Sequence, residues 1–433
     1  MRAAQSLLAD VHRLVPRSKM SVFLDVIGLP RIFQASFDLS FSLRQGIIYA
    51  WSSPKEWFSM VKAGVRSFGS EDVARTLDRR FFERPLFKPM KEAGLDYVDR
   101  WGAISQKEEM VMSNWAERTP GVRQSNRAYT VQGNKIRADR GDADVMNWLP
   151  PAIRQQVEDG TKTFANLDEL VAATGKTRQD FERLAQWHNV LTGRGEIGKW
   201  LQANNQWLNA VLYAPRFAVS RVEVPIFAVR NFIQNPALRK TVTKDLASYV
   251  AGTTATLVAI DQVPGVDVEW NPLSSDFGKI RVGNLTLDIS GGYVVLIRQV
   301  AQFATGKTKS TATGKVDDIA RADVLGRFLR SKLSPSGSFT KDVLDPKRAY
   351  GGPLDSRERW IQRIAEMWAP LVGQDLYEAT QEFGAVGLLA APFAAAGASV
   401  NVYERKPTRR SVPQRTPSRK YRIRKGAPEG EGP

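Results

Sequence analysis

The sequence predicts a mainly α protein: a multi-helix body, elongated or bundled, with a small β-hairpin near 266–292 and a disordered basic C-terminal tail. Three observations predict it. Apolar residues recur at spacings of three and four over most of the chain, the period of one helix face. One stretch, 266–292, instead alternates apolar with polar residues and carries turn dipeptides. No strand–helix–strand alternation is visible, which argues against a parallel sheet.

Taken in order, the chain divides into a helical region over 1–150, a central helical region over 151–262 with a helix–turn–helix at 191–198, a hairpin plus C-terminal helices over 263–403, and a tail over 404–433. The opening MRAAQSLLADVHRLVPRSK is short and amphipathic, contains Asp10 and lacks a small-residue cleavage site, so no signal peptide is expected. Helices are expected at 54–67, 70–82, 104–117, 151–158, 166–173, 237–260, 293–304, 317–333 and 356–382. Start signals support several of them. Pro54 after Ser53 occupies a first helical position, Ser70 precedes Glu71 and Asp72, Asn166 precedes LDEL, and Asp355 or Ser356 introduces RERWIQRIAEMW. Phe181, Leu184, Ala185, His188 and Leu191 mark one helix face, and Ile197, Trp200, Leu201, Leu208, Val211 and Leu212 mark the next.

Lys279 to Asp288 reads as two short strands about a Gly283-Asn284 turn. Residues 383–403 hold no charge, many small residues and a central Pro392. At ~20 residues the stretch is long enough for a bilayer crossing. Its Ala and Gly content suits a buried helical hairpin or a protein contact at least as well, with Phe383, Gly387, Leu388, Phe393 and Val400 as the membrane- or protein-contact positions. The shorter apolar run 246–260 reads as a core helix.

The chain of 433 residues is long enough for two or three packed units. It has no cysteine, which excludes disulfides, thiolate metal sites and cysteine nucleophiles. Its two histidines, His12 and His188, would have to serve any histidine-dependent site. His188 lies on an apolar helix face and reads as a core histidine; His12 has no assignable partner. The adjacent pairs Glu108-Glu109 and Asp317-Asp318 diverge by ~100° on a helix and read as solvated faces. No catalytic constellation, metal site or cofactor is expected.

Sixty-two basic residues against 45 acidic ones leave a net charge of +17, a field that favours polyanions. Ten of the cations crowd into the tail: Arg405, Lys406, Arg409, Arg410, Arg415, Arg419, Lys420, Arg422, Arg424 and Lys425. With five prolines and few large apolar residues, this segment cannot bury a core, and its cations suit the phosphates of DNA. Elsewhere arginines interleave with aromatics, as in RRFFERPLF (79–87), YAPRFAVSR (213–221) and FAVRNF (227–232), where packing within the chain is expected.

LTGRGEIG (191–198) matches the glycine pattern of dinucleotide-binding turns. Its context does not: helix precedes it, helix follows it, and no acidic strand end lies ~20 residues on. It reads as a turn between helices whose glycines supply positive φ. Thr174-Gly175-Lys176-Thr177 and Thr305-Gly306-Lys307-Thr308 resemble half a phosphate loop, but the earlier glycine is missing, and each reads as a helix C-terminal glycine.

Several ordered segments carry a resemblance: LPRIFQASFDLSFSLRQG (29–46), SNRAYTVQGNKIRAD (125–139), LTGRGEIG, LNAVLYAPRFAVSRV (208–222), NPALRK (235–240), WNPLSSDFGKIRVGNLTLDISGGY (270–293), LGRFLRSKLSP (325–335) and PLVGQDLYEATQEFG (370–384). Together they cover roughly residues 25–403, and over that span the chain resembles the C-terminal regions of the large polyvalent proteins of tailed bacteriophages and prophages, in particular one of their associated domains. The resemblance implies a phage-encoded helical protein whose longer relatives carry protease, methyltransferase or helicase domains and travel in the virion into the host. None of those modules is recognisable here, and the resemblance supplies no catalytic residue. The expected role is therefore structural: an internal, ejection-type virion protein that binds DNA non-specifically. Its expected partners are phage DNA, other virion proteins, the host membrane and a second copy of itself. Its expected places are the virion and then the host envelope or cytoplasm. The alternatives are a non-catalytic accessory module of a larger DNA-processing polyprotein and, more weakly, a membrane-active effector.

Overall fold

The computed structural model describes residues 39–98, 121–195, 211–311, 313–346, 353–383 and 391–402, together with Pro30, Gln34 and Leu388. A π-helical turn, Phe41–Gln45, leads into α1 (Ile47–Ser52), α2 (Pro54–Gly69), α3 (Glu71–Phe82), α4 (Phe87–Glu92), α5 (Val122–Trp148), α6 (Pro151–Glu158), α7 (Leu167–Thr174) and α8 (Arg178–Leu191). Then come α9 (Pro215–Gln234), α10 (Arg239–Asp261), strands β1 (Val266–Val268), β2 (Ile280–Val282) and β3 (Leu285–Asp288), and α11 (Tyr293–Thr305). The described chain finishes with β4 (Lys307–Lys309), β5 (Val316–Asp318), α12 (Arg321–Arg330), α13 (Pro335–Leu344), α14 (Arg357–Trp368), α15 (Leu371–Phe383), α16 (Ala391–Ala396) and β6 (Ser399–Val402). The protein is mainly α.

Local chemistry explains many of the helix ends. The Ser70 hydroxyl accepts from the Val73 amide, Asn166 from Glu169 and Ser356 from Arg359, each filling an orphan donor of a first turn. Gly175 and Gly306 close α7 and α11 in the left-handed conformation, at φ 66° in both cases. Thr177 then opens α8 with a reciprocal capping box to Asp180. Both half phosphate loops are thus helix ends, the second running directly into β4.

The helix at the centre, α5, is missing from the expected set. Its buried residues include Gln132, Asn134, Arg137, Arg140 and Asp144, so no apolar stripe marks its period. Each of these side chains makes at least one polar contact, although Gln132 Oε1 and Arg140 Nε have no partner among the described residues. Asn134 clamps Val98, accepting from its amide at 2.9 Å and donating to its carbonyl at 2.7 Å. Arg127 donates to the Ser67 and Phe68 carbonyls, satisfying the last turn of α2. The two helices approach so closely that a Cβ on Gly64 would meet the Gln132 side chain at 2.3 Å. Around α5 one core cluster gathers Phe41, Ile48, Met60, Trp187, Phe227 and Tyr249, running across positions 150 and 262 to Tyr293. A second gathers Phe81, Met90, Leu149, Leu167 and Phe181.

The helices α9 and α13, like α5, stand outside the expected set, and four of the expected elements take a different form. The hairpin at 280–288 forms about its Gly283-Asn284 turn, but it belongs to a four-stranded antiparallel sheet of order β1-β2-β3-β6. The outer strand β6 comes from the stretch expected as an apolar helix, with Val400 opposite Leu287. Residues 316–318 pair with 307–309 as a hairpin, so the helix expected over 317–333 spans only Arg321–Arg330. Asp317 and Asp318 are exposed strand neighbours and point to opposite faces rather than ~100° apart. The helix expected over 356–382 breaks at Ala369-Pro370, because Pro370 lacks the amide that would continue it and restricts the residue before it. The helices expected over 104–117 and from 197 lie outside the described residues, as do Glu108, Glu109 and His12.

Candidate functional site

Two polar assemblies meet where α8 ends in the 191–195 turn. The first is wholly internal. On α8, His188 is fully buried; its Nδ1 shares a 2.7 Å hydrogen bond with the Tyr49 hydroxyl of α1. Its Nε2 lies 3.1 Å from Asp144 Oδ2 on α5. Arg140, one turn earlier on α5, reaches the same carboxylate at 3.2 Å, and the Thr241 hydroxyl of α10 donates to its other oxygen at 3.2 Å. Beside this array the Trp187 indole N–H donates to Asp245 Oδ2 at 3.0 Å.

The two carboxyls of this cluster are displaced from their ordinary range in opposite directions. Burial pushes Asp144 up, but the His188 bond and the charges of His188 and Arg140 outweigh it and hold the group below its usual range. Burial dominates at Asp245 and raises it, with the Asp144 charge acting the same way against Arg140. Burial likewise raises the Tyr49 hydroxyl well above its ordinary value. An Asp–His–Tyr chain has the parts of a proton relay. Here all three members are buried among α1, α5, α8 and α10, and neither described cleft is lined by any of them. The array joins four helices through buried polar contacts, with Arg140 Nε and Asp245 Oδ1 left without a partner among the described residues, and its geometry specifies how the helices pack.

The second assembly opens to solvent. Gly193 takes φ 84°, as expected of a turn glycine, and a Cβ there would meet Gln45 at 2.9 Å. Gly195 is needed for a different reason than expected: a Cβ on it would meet the Ser220 amide nitrogen at 2.6 Å and the Arg216 carbonyl at 2.9 Å. Between them Arg194 donates to Asp96 at 2.7 Å. Burial lowers the Arg194 guanidinium; Asp96 opposes this and the Arg216 charge reinforces it. Arg137 ties the two assemblies together, donating to the Thr192 hydroxyl at 2.7 Å and to the Asp96 carbonyl at 3.0 Å. Asn189 fixes the facing segment by accepting from the Asp96 amide and donating to the Gly94 carbonyl, both at 2.9 Å. The result is a cleft of about 600 Å³ between α8 and residues 91–97. A smaller cleft of about 190 Å³ lies on the sheet, where Asp276 pairs with Lys279 and Arg281.

The expected arginine–aromatic packing is present: Arg221 lies 4.2 Å from the Phe217 ring centre and 4.5 Å from that of Tyr293, and Arg84 covers Phe81 at 5.7 Å. His188 is the core histidine that its helix face suggested. The expected contact residues part company. Leu388 and Phe393 are exposed, whereas Val400 is buried in the sheet beside Ala379 and Ala394, because strand pairing turns it inward. Phe383 ends α15, and Gly387 lies outside the described residues, as do all ten tail cations from Arg405 to Lys425. Among the described residues no helix is long and apolar enough to cross a membrane, and no group of three or more His, Asp or Glu could hold a metal ion.

What sequence reasoning missed is the α5 contribution. Its one available signal was the dense charge run 137–144, where Arg140 and Asp144, like Lys135 and Asp139, stand four residues apart. Compared with family models, curated proteins and solved structures, the chain matches none.

Proposed function

We propose that this chain is a structural and interaction protein of a phage particle, an internal protein carried with the genome, delivered with it and binding its DNA non-specifically. The observation that carries this reading is the distribution of polarity. Along α9, Val222, Ile226, Val229 and Ile233 form one outward row, and Ile297, Val300 and Phe303 are exposed on α11. Apolar rows of this kind suit a subunit that packs against neighbours. The net charge of +17 supports DNA as a partner, and the ten tail cations supply sequence-independent phosphate contacts. The resemblance to phage polyvalent proteins agrees with both features.

Removing residues 404–433 tests the tail assignment. DNA retention by the shortened chain should fall and lose most of its salt dependence. Retention equal to that of the full chain at every salt concentration would remove the tail from the DNA-binding surface.

A further inference from the structure

The cleft at the end of α8 has a composition that the tail-based reading does not use. Its described lining includes Lys91, Arg183, Arg194 and Arg216 against two carboxylates, Asp96 and Glu182. Among the described residues neither Lys91 nor Arg183 forms an ion pair; Lys91 lies 5.7 Å over the Phe87 ring, and Arg183 is half-buried on the α8 face. Gln179 and Gln186 continue the same face with amide donors and acceptors. From Gln179 to Asn189 that face runs about 15 Å along the helix, more length than a single small anion occupies.

The walls are held before any ligand arrives. Asn189 grips the backbone at Gly94 and Asp96, Arg194 pairs with Asp96, and Arg137 braces the Asp96 carbonyl and Thr192 from beneath. Cations on a fixed frame meet an anion at a lower ordering cost than cations on loose side chains. Guanidinium and ammonium groups bind phosphate oxygens directly. Amide side chains offer paired donor and acceptor groups of the kind that base edges match.

From this arrangement we infer that the cleft between α8 and residues 91–97 is a second nucleic-acid contact, one that takes a single strand, with Lys91 and Arg183 on its phosphates. The inference rests on the DNA-binding reading above and moves part of that function onto the folded body. The turn LTGRG then serves the cleft by position, Arg194 holding its wall through Asp96, rather than through glycines around a pyrophosphate.

The test is fluorescence anisotropy of a labelled single-stranded oligothymidylate with the full chain over a series of NaCl concentrations. Two double variants are compared: Lys91→Gln with Arg183→Gln in the cleft, and Lys55→Gln with Lys62→Gln on the exposed face of α2, a control that removes the same charge. Two lost phosphate contacts should flatten the log–log salt slope by roughly 1.4, since each contact to a single strand contributes about 0.7. The control should barely move it, and unchanged thermal unfolding of both variants shows that the fold is intact. Equal shifts in the two variants, or none in the cleft variant, would overturn the cleft while leaving DNA binding in place. Failure of the unaltered chain to bind would overturn the DNA reading and the cleft together. Preferential binding of poly-glutamate at the cleft, lost in the cleft variant, would replace the nucleic-acid strand with an acidic polypeptide.

Discussion

One row of α5 and one row of α9 invert the ordinary relation between polarity and burial. On α5, Arg137, Arg140, Asp144, Gln132 and Asn134 are inside; on α9, Ile226, Val229 and Ile233 are outside. A buried charge is tolerated only when paired and hydrogen-bonded, so the interior of α5 is specified by geometry and not by area. An exposed apolar row contributes little to the fold of the isolated chain, so its use lies with whatever covers it. The comparison separates residues that hold the protein together from residues available for contact, and at these positions hydrophobicity alone sorts them the wrong way round, although both helices also bury apolar residues such as Ile136 and Phe227.

The sharpest way to break this comparison is to remove a partner from the interior array. Asp144→Ala leaves Arg140 and His188 without their carboxylate in a buried setting. It should lower unfolding stability by about 3–5 kcal/mol in urea denaturation. A loss below about 1 kcal/mol would mean that the array is incidental to packing.

Acid titration sharpens it further. Burial pushes the Asp142 carboxyl up to about 6, against the attraction of Arg84. The folded state then holds a proton that the unfolded chain has released between pH about 4 and 6, so this group favours folding below that window and the advantage is lost as pH rises through it. The span corresponds to at most about 3 kcal/mol. Asp142→Asn should flatten the stability profile between those values; an unchanged slope would show that Asp142 titrates normally.

Two glycines give a smaller and opposite pair of effects. Gly64→Ala, facing Gln132 across the α2–α5 contact, should cost about 1–3 kcal/mol. Gly326→Ala, inside α12 with nothing within 4 Å of the new methyl, should gain about 0.5–1 kcal/mol. If both substitutions shifted stability alike, the close α2–α5 approach would be wrong. At the bottom of the scale, Ile226→Gln with Val229→Gln on α9 should change the stability of the isolated chain by no more than about 0.5 kcal/mol. A large loss would place that row inside the fold.

The elements located from the sequence were those read from their own period or cap, while α9 and α13 were overlooked although Pro215 and the Ser334-Pro335 pair stand at their starts. Ser70, Asn166, Ser356 and the Gly283-Asn284 turn all act locally and were all readable. Pairing between distant segments was not. Nothing near 399–402 announces that it will complete a sheet with 285–288, because the partner supplies half of the information. The centre of the molecule was hidden for another reason: α5 satisfies its buried groups by long-range bonds, from Asn134 to Val98 and from Arg137 to Thr192, and such bonds leave no period in the chain. His188 was legible as a core residue, while its partners Tyr49 and Asp144 became visible only once three helices were assembled.

Mass spectrometry of purified phage particles tests the central claim most directly. The account predicts that this chain co-purifies with intact, DNA-filled particles in a fixed copy number. Its absence from such particles, while abundant in the lysed cells that produced them, would contradict the virion role.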